Sequence, residues 1–265
     1  MKINNYGYYE QLLHYAEYDS IENADHSSCE IPTFGQSAST SYLSRFHDRY
    51  NLERFTSPHE STLINNLLRW TYEVLLQPSY IENTISYSNS IDIIETAKKQ
   101  KKCLNCYCHA YVLRDALQCF NIKSRIVYCL PINCDYFGNH VVVEYFSLQD
   151  NCWVLLDPTY NLILTDDEGH KLNLLTLRQS IINCKPVSTI SSHRFEKISK
   201  DSVPLRDRLA SYINMMVPIM VVLQYENIGV GGSLEYRLIP KHYLLPKQSV
   251  SVDNIVYISD YKLLY

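Results

Sequence analysis

The chain has 265 residues, nearly half of them apolar and a fifth charged, the balance of an ordinary globular protein with a sizeable core. A formal net charge of −4 gives no global pull toward nucleic acid or an anionic membrane surface, so neither is expected as a partner. Nine scattered cysteines, odd in number and in too long a chain for a disulfide scaffold, read as reduced thiols in a cytoplasmic setting.

The N-terminus lacks the apolar run of a secretory leader. Residues 1 to about 40 carry weak periodicity, and Gln36-Ser37-Ala38-Ser39-Thr40-Ser41 reads as a loop. Ser57-Pro58-His59-Glu60 predicts a helix start, with Ser57 as cap, Pro58 at the first helical position and Glu60 closing a capping box. Leu63, Leu67, Trp70 and Val74 then recur at helical spacing until Gln77-Pro78. A shorter helix follows Ser90 and ends on the basic run Lys98 to Lys102, which suits a helix C-terminus. Asn105 predicts a further N-cap, Ala110, Leu113, Leu117 and Phe120 form one apolar stripe, and Asn121 is a left-handed stop.

Strands are predicted over Ser124–Leu130, His140–Ser147 and Cys152–Leu156, the last two joined as a hairpin by Leu148-Gln149-Asp150-Asn151. The most apolar run, Met215–Leu223, is too short for a membrane helix of roughly 20 residues and reads as a buried strand. The runs ending at Tyr225 and starting at Leu234 flank a glycine-rich turn and predict a second hairpin. Helices first and antiparallel strands later indicate an α+β fold. No linker divides the chain, so one domain is expected: residues 1–56 as a helical and loop region, 57–185 as a core, and 186–265 as strands completing the sheet. The 23 tyrosines are spread along the whole chain and read mainly as amphipathic packing.

Chemistry concentrates at three positions. Cys106 opens a helix, where unpaired N–H groups and the dipole favour a thiolate. A thiol nucleophile needs a histidine to move its proton and a third group to orient that histidine. With a four-residue loop, the hairpin pairs Ser147 with Cys152 and Val142 with Asp157. His140 then shares a face with Asp157 on the neighbouring strand, and a one-residue slip would separate them. Taken singly, Cys106 is a small buried hydrophobe, His140 a strand-end histidine and Asp157 a turn residue. A metal site built on Cys103, Cys106, Cys108 and His109 lacks a well-spaced second ligand pair, so no metal is expected. Cys103 could instead form a regulatory disulfide with Cys106. Arg125 is assigned to a structural salt bridge, Trp70 and Trp153 to the core (Trp153 also as a wall of the site), and His109 to the surface or another part of the core.

The segment from Cys106 through Ala110, Leu113, Ala116 and Leu117 to Phe120-Asn121-Ile122-Lys123-Ser124-Arg125 resembles the nucleophile helix of the transglutaminase-like superfamily and its exit into a strand. His140-Val141-Val142-Val143-Glu144 and Trp153-Val154-Leu155-Leu156-Asp157-Pro158-Thr159 resemble that family's histidine and Asp-Pro-Thr motifs. The match spans roughly residues 57 to 180. Leu104 and Asn121 stand where many members have glycine, Lys123 where they have proline, and Val142 where they have tryptophan. The resemblance implies a papain-like α+β core with catalytic Cys106, His140 and Asp157 and no cofactor. Cys106 would form a thioester on a peptide or protein amide and pass the acyl group to an amine or to water. The Cys106 backbone N–H would serve as one oxyanion donor. Peptide N-glycanase-like deglycosylation uses the same triad, and a catalytically silent binding protein on the same fold is the alternative of another class.

Overall fold

The computed structural model describes residues 6–17, 39–75, 89–101, 104–132, 138–190, 205–229, 232–240 and 255–258. Among these, the helices are α1 (Tyr6–His14), α2 (Thr40–Tyr50), α3 (Glu60–Leu75), α4 (Ser90–Gln100), α5 (Cys106–Cys119), α6 (Leu174–Ile182) and α7 (Leu205–Met216). The strands are β1 (Ser124–Leu130), β2 (His140–Ser147), β3 (Cys152–Asp157), β4 (Leu162–Thr165), β5 (Ser188–Thr189), β6 (Val222–Gly229), β7 (Gly232–Leu238) and β8 (Ile255–Ile258). They form one sheet in the order β5-β4-β3-β2-β1-β6-β7-β8. Every neighbouring pair is antiparallel except β7 and β8. The fold class is α+β.

Strand alternation divides the apolar core in two. One face of the sheet packs Ile126, Val141, Val143, Tyr145, Val154 and Leu156 against α3, α4 and α5. The other packs Val127, Cys129, Val142, Leu155, Leu162 and Leu164 against α1, α6 and α7. A strand buried on both sides shows no polar alternation, which explains the unbroken apolar stretches of β1 and β2.

The helix α5 begins and ends where its sequence predicts. Asn105 sits in extended backbone and its side chain accepts the Cys108 N–H at 3.1 Å, while Asn121 adopts φ 57° just past the C-terminus. Asp115, buried on α5, accepts hydrogen bonds from the Tyr42 hydroxyl at 2.9 Å and the Ser90 hydroxyl at 2.7 Å, and pairs with its neighbour Arg114. This network ties α2 and α4 to α5.

In the β2–β3 hairpin, Ser147 pairs with Cys152 and Val143 with Leu156, the predicted register. Asn151 closes the turn at φ 51°, a conformation asparagine tolerates better than most residues. Glu60 belongs to this turn and not to a capping box. Helix α3 starts at Glu60 instead of Pro58, Ser57 accepts the His59 N–H in a local turn, and the Glu60 carboxylate reaches across to the hairpin. There it accepts the Ser147 hydroxyl at 2.6 Å and the Leu148 N–H at 3.0 Å. Glu60→Ala is expected to cost on the order of 2 kcal/mol, as charged hydrogen bonds do when lost, measured by urea unfolding.

Other expectations need correction. Met215–Leu223 is not a strand: Met215 and Met216 end α7, Val217–Ile219 form a 3-10 turn around Pro218, and only Val222 onward enters β6. All of the run but Met215 and Pro218 is buried, but a continuously apolar segment has no period that separates strand from helix. Residues 186–265 therefore supply a helix as well as strands. Ser39 caps α2, so Thr40 and Ser41 are helical and not loop. The cap of α4 is Asn89, one residue before Ser90. Gln36 to Ala38, the Gln77-Pro78 stop, Lys102 and Cys103 lie outside the described residues.

Arg125 makes the expected salt bridge. Its guanidinium donates to one Glu144 oxygen at 2.7 and 3.0 Å and lies between the rings of Trp153 and Tyr225. The second Glu144 oxygen accepts the Leu174 N–H at 2.8 Å, so the pair also holds the start of α6.

Candidate active site

Three element ends meet at one rim of the sheet. His140 is the first residue of β2, Asp157 the last of β3, and Cys106 the first of α5. Antiparallel pairing puts the start of β2 and the end of β3 at the same edge, and their diagonal register turns both side chains to one face. His140 Nε2 lies 2.6 Å from Asp157 Oδ2. The other carboxylate oxygen accepts the Thr159 N–H at 2.9 Å and the Tyr160 N–H at 3.3 Å. The Asp-Pro-Thr turn thus locks the carboxylate with one oxygen and leaves the second for the imidazole. Both residues are buried, Asp157 completely.

The Cys106 thiol lies within interaction range of His140 and helps to hold its proton. Cys106 is half-buried, whereas Cys108 and Cys129 are buried in the core. Burial pushes the Cys108 thiol up to about 12, with the neighbouring Cys106 thiol adding, and pushes Cys129 well above its ordinary range. Those two are packing residues.

Burial alone would pull the His140 pKa down, but the Asp157 charge and hydrogen bond, with Cys106 adding, raise it to about 10 from 6.5. Stability contributed by protonated His140 is complete below pH 6.5 and is lost as pH climbs through about 10. Between those limits, wild type is expected to lose more thermal stability than Asp157→Asn does. Parallel melting profiles would show that the pair is not ionised in the folded protein.

Two residues that motif reading passes over surround the imidazole. Tyr160, from the turn after β3, and Tyr212, from α7, lie with ring centroids 5.7 and 6.5 Å from His140. They pack edge to face on each other at 5.5 Å. The Tyr212 hydroxyl is buried and approaches Asp157 without closing a well-formed hydrogen bond. Tyr160 was visible in sequence as the residue after the Asp-Pro-Thr motif, but nothing local marks Tyr212. Trp153 packs against Arg125, Lys123 and Phe146, which places it in the core with Trp70. His109 is buried and its ring bonds back to the Asn105 carbonyl.

Among the described residues, no helix is long and apolar enough to cross a membrane. No protein-family profile matches the sequence, and no curated protein matches it. Among solved structures, the periplasmic domain of TgpA from Pseudomonas aeruginosa bound to ethylmercury is similar at 16% identity and a TM-score of 0.32, over 47% of this chain and 45% of that one. A candidate cysteine protease from Cytophaga hutchinsonii is similar at 12% identity and a TM-score of 0.34, over 67% of this chain and 56% of that one. The chain therefore aligns with about half the length of each.

Proposed function

We propose that the chain is a transglutaminase-like cysteine enzyme with a papain-like core, in which Cys106 is the nucleophile, His140 the acid and base, and Asp157 the residue that orients His140. The observation that carries this reading is the buried 2.6 Å bond between His140 and Asp157 beside a thiol at a helix start. With His140 Nε2 committed to the carboxylate, Nδ1 is the ring nitrogen left for the thiol proton. The thiolate adds to an amide carbonyl of a peptide or protein. The protonated imidazole donates to the departing amine, and a thioester remains on Cys106. His140, now neutral, takes a proton from the incoming amine or water, and the acyl group is transferred or hydrolysed. Unpaired N–H groups at the start of α5 face the developing oxyanion. The reading places the protein in a reducing, cytoplasmic setting, where a catalytic thiol stays free.

Iodoacetamide labelling followed by peptide mass spectrometry tests this reading. Cys106 is expected to react at neutral pH well ahead of exposed Cys184, and His140→Ala is expected to remove that lead. Equal, slow labelling of Cys106 in both proteins would leave a binding protein on the same scaffold.

A further inference from the structure

His109 lies one helical turn beyond Cys106, is almost wholly buried, and has no part in the chemistry above. Its Nδ1 is 3.0 Å from the carbonyl oxygen of Asn105. A carbonyl oxygen can only accept, so Nδ1 carries the proton and donates it. Burial, with nearby His140 adding, pushes the ring's pKa below the usual histidine value, against the opposing pull of the Asn105 bond and the Asp157 charge. The same oxygen accepts the His109 backbone N–H at 3.3 Å, so one residue grips it twice.

That oxygen belongs to the peptide joining Asn105 to Cys106, which is trans. In a planar trans peptide the C=O and N–H point in opposite directions, so holding one holds the other. With the Asn105 oxygen drawn along the helix toward His109, the Cys106 N–H is aimed out of the helix start. The Asn105 side chain is committed to the Cys108 N–H, and the first turn offers the Cys106 N–H no intrahelical acceptor. This N–H is carried by the same residue as the thiol.

We infer that His109 is a positioning residue: its Nδ1–H fixes the Asn105–Cys106 peptide so that the Cys106 N–H points at the oxyanion formed when Cys106 attacks a carbonyl. The inference rests on Cys106 being the nucleophile. In that attack the S–C bond forms as the carbonyl π pair moves onto oxygen, and the returning pair expels the leaving group. With p-nitrophenyl acetate as probe, p-nitrophenolate leaves and acetyl-Cys106 remains.

Two reactions at one sulfur test it. Acylation by p-nitrophenyl acetate passes through an oxyanion; alkylation by iodoacetamide displaces iodide at a saturated carbon and does not. His109→Leu keeps the donor and the backbone bond but loses the ring bond that fixes the peptide, so it is expected to slow acylation of Cys106 by at most the roughly 10²–10³-fold that loss of a whole oxyanion donor costs, with alkylation unchanged. His109→Asn, whose amide N–H can occupy the place of Nδ1, is expected to recover most of the acylation rate. Equal slowing of both reactions would mean that His109 supports the thiol–imidazole pair, and no slowing of either would make it a packing residue; each result overturns the inference. Should His109→Leu not fold, His109→Gln, whose longer side chain misplaces the donor, is read in the same way. Wild-type alkylation that ignores His140→Ala would instead overturn the catalytic reading itself, before any His109 variant is made.

Discussion

Asp157→Asn is expected to slow acylation of Cys106 by p-nitrophenyl acetate by roughly 10²–10⁴-fold while the protein stays folded. One oxygen of Asp157 accepts the Thr159 and Tyr160 N–H groups, and an asparagine oxygen can keep both bonds. The other oxygen faces His140 Nε2, and there asparagine presents an N–H where the carboxylate accepted one. A donor opposite Nε2 forces the imidazole proton onto Nδ1, the nitrogen the thiol needs as an acceptor. The ring therefore stays in place in the wrong tautomer. Circular dichroism and stopped-flow acylation separate the two effects. Acylation at the wild-type rate would show that His140 needs no carboxylate partner, and the proposed division of roles would fall.

The largest expected effect on stability lies away from the site. Arg125→Met leaves the Glu144 carboxylate charged and buried with its cation gone, and is expected to cost about 3–5 kcal/mol. For a chain of this size that corresponds to a fall in melting temperature on the order of 10 °C. Both side chains are fully shielded from solvent, so screening does not soften the loss. The double variant Arg125→Met with Glu144→Gln is expected to recover a substantial part of it, since no buried charge remains and glutamine can still accept the Leu174 N–H. Additive losses in the two single variants and the double would show that the residues do not act as a pair.

The parts of the site that could be read from sequence are those fixed by local rules. Asn105, the apolar stripe from Ala110 to Leu117 and Asn121 mark both ends of α5, and so put Cys106 at a helix start. The four-residue turn at Leu148–Asn151 sets the hairpin register, and register alone brings His140 to Asp157. Tyr212 was hidden because it reaches the imidazole only through docking of α7, whose apolar end runs without a break into Val217 and Pro218. Spacing placed His109 on the same helix as Cys106, but the bond from its ring to the Asn105 carbonyl depends on the rotamer chosen by the surrounding core. Glu60 was misread for a related reason. Its position fits a cap by sequence, yet a stronger claim on the carboxylate comes from a turn far along the chain.

The sheet lies between the helix that bears the thiol and the helices that cover His140 and Asp157, so the three groups meet only at its rim. This arrangement sets an order in time. During synthesis the thiol emerges before its imidazole, the imidazole before its carboxylate, and α7 with Tyr212 later still. On the proposed catalytic reading, Cys106 is an ordinary cysteine until β2 and β3 have paired and both helical layers have docked. A nascent or partly unfolded copy therefore cannot attack its neighbours, and reactivity at Cys106 becomes a sensitive reporter of complete folding.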